Sequence, residues 1–122
     1  MKRLILTLTL FCSMAVSSHA ALPIVGKGDA MRFDSSGFPP QMKANYALLT
    51  DKCTKCHAME RIVVSLTTGV TPITGQPFDM DVMKATTLTM VRKANAKNMP
   101  ISKDDTKAIF SLLKFLMGES VR

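Results

Sequence analysis

Two cysteines three positions apart, followed at once by a histidine, are the residues of this chain best equipped for chemistry: Cys53-Thr54-Lys55-Cys56-His57. A thiol can add to a carbon–carbon double bond or bind a soft metal, and an imidazole nitrogen can bind iron or zinc. The C-x-x-C-H spacing is that of covalent haem attachment. Each thiol adds to one vinyl group of the same haem, and the imidazole of the next residue is held beneath the iron. Other uses of C-x-x-C fit less well. A zinc site takes about four ligands, and no second Cys or His pair follows. A thioredoxin-like dithiol expects a preceding strand in a βαβ context, and no strand pattern is visible. The motif therefore points to one covalently attached haem c, with Cys53 and Cys56 as the thioether residues and His57 as the proximal iron ligand.

Such a group must be held by a domain, and the rest of the 122-residue chain supplies one small domain behind a leader. Residues 1–20 have the form of an export signal: Lys2 and Arg3, an apolar run over residues 4–11, and Ser18-His19-Ala20 as a small-residue cleavage site. The apolar run is too short to span a membrane, and nothing later is longer. Phe11 is too bulky for a lipidation site at Cys12. Cleavage after Ala20 removes Cys12 and His19, so Cys53, Cys56 and His57 become the only thiols and the only imidazole. The expected location is the periplasm. The charge of +7 falls to +5 without Lys2 and Arg3, an excess suited to an acidic protein face or an anionic surface. Export and the lack of an aromatic-basic platform argue against nucleic acid.

The elements that position the motif are helical. Residues 21–40 read as an irregular arm, with Phe33 and Phe38 pinning it to the domain at 41–122. Pro39 and Pro40 can open a helix over residues 41–52, whose Met42, Tyr46, Leu49 and Cys53 share one face. A turn or two of helix is expected over 59–66. Gly69, Pro72, Gly75 and Pro77 then mark a loop. Asp79 or Asp81 can cap a third helix ending near Ala94, with Met83, Met90, Val91 and Ala94 on one face. Ser102 and Asp105 form a capping box with Asp in place of Glu. The last helix is expected to stop near Gly118, with Ile109, Leu113 and Leu116 as its apolar stripe, widened by Phe110 and Met117.

This arrangement resembles the monohaem class I cytochromes c over most of residues 41–117: a helix leading into CTKCH, a loop, a candidate ligand Met, and a last helix ending Leu112-Leu113-Lys114-Phe115-Leu116. The resemblance implies an all-α, cytochrome c-like fold, with three to four short helices wrapped around one covalently bound haem, the first and last crossing beside its edge. Ala44 or Asn45 stands where the family usually has Gly at that crossing. Leu48 or Leu49 replaces its usual aromatic. Val70-Thr71-Pro72-Ile73-Thr74-Gly75 is similar to the family loop whose proline carbonyl accepts the hydrogen bond of the proximal histidine, which makes Pro72 a candidate supporting residue.

Without a second histidine, the sixth ligand is Met, Lys or an open position. Of ten methionines, two leave with the leader. Met90, in Thr89-Met90-Val91-Arg92-Lys93, resembles an R-M-x-R-K-P run of small periplasmic monohaem cytochromes and is preferred. That set also shows a stretch like Gly37-Phe38-Pro39-Pro40. Met99, beside Pro100 in the connector where class I proteins often present their ligand, is second, and Met80 and Met83 follow. Arg61, one helical turn past His57, can pair with a haem propionate. Lys52 and Lys55 flank the attachment site and could steer an acidic partner. The expected function is electron transfer with other redox proteins, without catalysis of its own. The alternatives are a haem sensor or gas-binding protein with an open or labile sixth position, or the electron-entry subunit of a larger oxidoreductase. A peroxidase would need a distal acid–base residue, which this chain is poorly equipped to supply.

Overall fold

The computed structural model describes residues 21–120. The export segment expected at 1–20 lies outside the described residues. The order is β1 (Ile24–Val25), a 3-10 turn (Gly28–Ala30), β2 (Arg32–Phe33), α1 (Pro40–Cys53), α2 (Glu60–Thr68), α3 (Met80–Ala96) and α4 (Lys103–Ser120). Four helices carry the fold, as an all-α chain requires.

The arm is not irregular throughout. β1 and β2 pair antiparallel, Ile24 opposite Phe33 and Val25 opposite Arg32. Two residues per strand are too few for alternation to show in sequence. Gly26 makes the turn possible: its φ is +80°, and a Cβ there would collide with the Ala30 carbonyl. The Tyr46 hydroxyl on α1 then locks β2 by accepting from the Phe33 N–H at 3.0 Å and donating to the Phe33 carbonyl at 3.2 Å. Phe33 and Phe38 are both buried, so the aromatic anchoring of the arm holds. The Phe38 ring stands edge-on to Tyr46 and to Phe115, at centroid distances of 5.7 and 5.2 Å. One ring thereby joins the arm, α1 and α4.

α4 is the spine. It packs most extensively on α1 and also contacts α3 and α2. Its stripe is Ile109, Leu112, Leu113 and Leu116, all buried, with Phe110 and Met117 half-buried beside them. The capping box forms as expected: the Asp105 N–H donates to Ser102 Oγ and the Ser102 N–H to the Asp105 carboxylate, each at 3.0 Å. The helix continues beyond Gly118 to Ser120, against the expected stop. Glycine ends a helix by adopting the left-handed conformation, and Gly118 is not among the positive-φ residues.

Asp79, not Asp81, caps α3 by accepting from the Val82 N–H at 2.8 Å. The other end closes in a Schellman motif. Asn98 takes φ +56°, its N–H reaching the Asn95 carbonyl and the Met99 N–H the Ala94 carbonyl. Asn is one of the few residues besides Gly that tolerates this position. Gly69 does the same for α2 at φ +69°, its N–H bonding the Ser65 carbonyl.

Candidate functional site

The thiol–imidazole motif occupies the end of α1 and the turn after it. Cys53 is the last residue of α1, half-buried and packed against the core beyond Leu49 and Tyr46. Thr50 and Thr54 donate their hydroxyls back to the Tyr46 and Thr50 carbonyls at 2.9 and 2.6 Å. They add a second hydrogen bond to carbonyls of the last turns of α1, the Thr50 carbonyl also accepting the Thr54 N–H at 3.3 Å. Cys56 stands exposed in the turn, and both thiols are free. Burial, with the neighbouring Cys56 second, pushes the Cys53 thiol up from its ordinary value. It is therefore a neutral S–H at pH 7.

His57 is half-buried, with Nδ1 3.0 Å from the Ala58 carbonyl oxygen. A carbonyl only accepts, so in the neutral ring Nδ1 carries the proton. Nε2 is then left with a free lone pair, the form that binds a metal, and the hydrogen bond from Nδ1 to Ala58 raises its basicity. The carbonyl that meets the imidazole is thus the adjacent Ala58, which the sequence does not single out because every residue has one. Pro72 is exposed in the loop after α2, which is closed by a Val70–Pro77 bridge and by Thr71 N–H to the Gln76 carbonyl at 2.9 Å.

Arg61 is exposed in the first turn of α2, and no carboxylate pairs with it among the described residues. Lys52 and Lys55 share Asp51 at 3.9 and 3.8 Å, and the Lys52 charge, after the Ser102 N–H and hydroxyl, also lowers the Asp105 pKa across the α1–α4 contact. The cations beside the motif are partly neutralised, each exposed pair contributing about 0–1 kcal/mol.

The methionines separate by environment. Met83 is fully buried, and its carbonyl accepts the Thr87 hydroxyl at 2.8 Å, with the sulfur 3.9 Å from the same hydroxyl oxygen. Met80 is half-buried against the core. Met99 is half-buried as the apolar residue of the Schellman closure. Met90 lies on the Met83–Ala94 side of α3 by helical spacing, yet remains 39% exposed.

Among the described residues no three Cys, His, Asp or Glu side chains form a group that could hold a metal ion, and no helix is long and apolar enough to cross a membrane. Two surface depressions lie elsewhere, one at the α3–α4 connector and one beneath the arm; neither includes a motif residue. Comparison with known protein families, characterised proteins and solved structures finds no match to this chain.

Proposed function

We propose that this protein is an exported, periplasmic electron carrier of the monohaem cytochrome c type. The observation that carries the reading is the C-x-x-C-H run placed at a helix end, with both thiols free and His57 held by Nδ1 so that Nε2 is available. These residues fit the group. Two thiols offset along the backbone can reach two vinyl carbons, whereas a zinc site would need a third and fourth donor converging on one point. Bound there, the haem iron supplies a one-electron ferric/ferrous couple. The chain's part is to add two thioether bonds through Cys53 and Cys56, to present His57, and to keep water from the ring.

Met90 is the preferred sixth ligand. Met83 is sealed into the core and Met99 closes a helix cap, while Met90 is an apolar side chain on the inner side of α3 that the protein leaves partly uncovered. A thioether in that place gives His/Met ligation, which favours the reduced state. Arg61, which pairs with no carboxylate among the described residues, suits a propionate.

The test is an absorption spectrum of the purified exported protein, oxidised and reduced, with and without carbon monoxide. The expected result is low-spin haem that resists carbon monoxide, with a far-red sulfur-to-iron band when oxidised. Met90→Ala removes that band and Met99→Ala keeps it. A protein lacking covalent haem overturns the reading. High-spin iron that binds carbon monoxide replaces the carrier by a sensor or gas-binding protein.

A further inference from the structure

The outer face of α3 combines two things that a solvated helix face does not need. Leu88 is 47% exposed, and one turn to either side of it stand Lys84 and Arg92, both exposed. Residues four apart lie on one helix face, so the three make a stripe of cation, leucine, cation. Arg92 is steadied by donating to the Thr89 hydroxyl at 3.3 Å. Lys93 and Lys97 lie beyond it, also exposed. Residues 82–103 hold five cations and no carboxylate, and none of the five is in an ion pair among the described residues. The negative end of the helix dipole accounts for cations in the last turn. It does not account for Lys84 in the second turn, nor for the exposed leucine between two charges.

We infer that this stripe, Lys84-Leu88-Arg92 with Lys93 and Lys97, is where an acidic face of a partner redox protein docks. The inference rests on the electron-carrier reading and deepens it by naming the surface and the partner's chemistry. Charge complementarity selects an acidic occupant: the cations are unopposed here, whereas Lys52 and Lys55 beside the motif share Asp51. A small, single-leucine contact ringed by charge suits a partner that must leave after each electron. A membrane surface would need a broad apolar face turned outward, and α3 turns its broad apolar face, Met83 and Ala94, into the core.

The experiment maps backbone amide NMR shifts of the intact mature protein at low salt. The probes are an all-glutamate peptide, a glutamate peptide with one phenylalanine, and phosphatidylglycerol vesicles. Shifts are expected to cluster over residues 84–97 with both peptides. Lys84→Glu with Arg92→Glu is expected to weaken peptide binding about tenfold, and Lys52→Glu with Lys55→Glu about twofold or less. Leu88→Ser, a milder change, is expected to weaken only the phenylalanine peptide. Shifts centred on residues 51–56, a larger effect of the Lys52/Lys55 pair, or vesicle binding that outcompetes the peptides would each overturn the inference. The haem spectrum reports on the carrier reading separately: a protein without haem that still binds acidic peptides on α3 would overturn that reading, and with it the redox nature of the partner, while leaving the stripe as the docking face for an acidic protein.

Discussion

The end of α1 and the body of α3 carry the two halves of the proposed site, and they are built differently. The α1 half is tied on every side. Cys53 ends a helix that packs along α4, Thr50 and Thr54 return their hydroxyls to its carbonyls, Asp51 meets both nearby lysines, and Ala58 fixes the His57 ring. The α3 half docks chiefly on α4, leaves Leu88 and Met90 exposed, and carries unopposed cations. Under the proposed reading, a covalent attachment point gains from being preorganised before anything is attached to it. A thioether ligand need only be brought near, because the group it binds supplies the missing contacts. Under the proposed reading, α3 borrows packing on its inner side from what the protein holds, and on its outer side from what the protein meets.

The largest effect that tests this contrast lies on α4, which serves both halves. Leu112 is fully buried, and Leu112→Ala is expected to lower unfolding stability by about 2–5 kcal/mol in urea. Leu88→Ala, the same truncation on the outer face of α3, is expected to stay within about 0.5 kcal/mol. Equal losses would show that α3 is packed on both sides and would dissolve the comparison.

The next effect concerns the arm, which braces the α1 half alone. Tyr46→Phe removes one hydroxyl and leaves both the N–H and the carbonyl of Phe33 without their partner. The expected loss is about 1–3 kcal/mol, with faster hydrogen exchange at the Phe33 amide and little change in the amides of α3. A matching loss of protection across α3 would mean that the two halves unfold as one unit. The Tyr46 hydroxyl is itself held above its ordinary pKa of 10.0 by burial. The stability it contributes is whole below that pH and falls as the pH rises beyond it.

What could be read from the sequence follows how local each feature is. The Ser102–Asp105 box, the Asp79 cap and the proline-led start of α1 are decided by neighbours within three or four residues, and the structure has them where the residue types put them. The β1–β2 pair was illegible because its clamp, Tyr46 on Phe33, spans thirteen residues and uses only backbone atoms of the strand. The run of α4 past Gly118 was missed because glycine permits a stop without requiring one. Leu112 was less visible than its neighbours Leu113 and Leu116 because burial around the whole of α4, contacted by three helices, widens the stripe that a single face predicts. The motif was legible as three reactive residues. Which carbonyl orients His57 was not, since Ala58 carries no signal in its side chain, and Pro72 drew notice only through resemblance.

The smallest effect sits at the joint where α3 hands over to α4. Ser102→Ala removes one half of the capping box and is expected to cost about 1 kcal/mol. The Ser102 N–H, then its hydroxyl, hold the Asp105 carboxyl below its ordinary value of 3.8, with the Lys52 charge adding a smaller pull. A lowered carboxyl pKa stabilises the fold above the ordinary value and loses that contribution as the pH falls through the lowered one. The wild-type protein should therefore lose this increment only in acid below about pH 4, and Ser102→Ala should show a shallower acid dependence. Asp34 is lowered in the same direction by the Ser36 N–H, 2.9 Å from its carboxylate, so the measurement is made in an Asp34→Asn background. If the acid slope survives unchanged in the double variant, the Ser102 hydroxyl is not what lowers Asp105, and the Ser102 N–H, which alanine keeps, does so with the Lys52 charge.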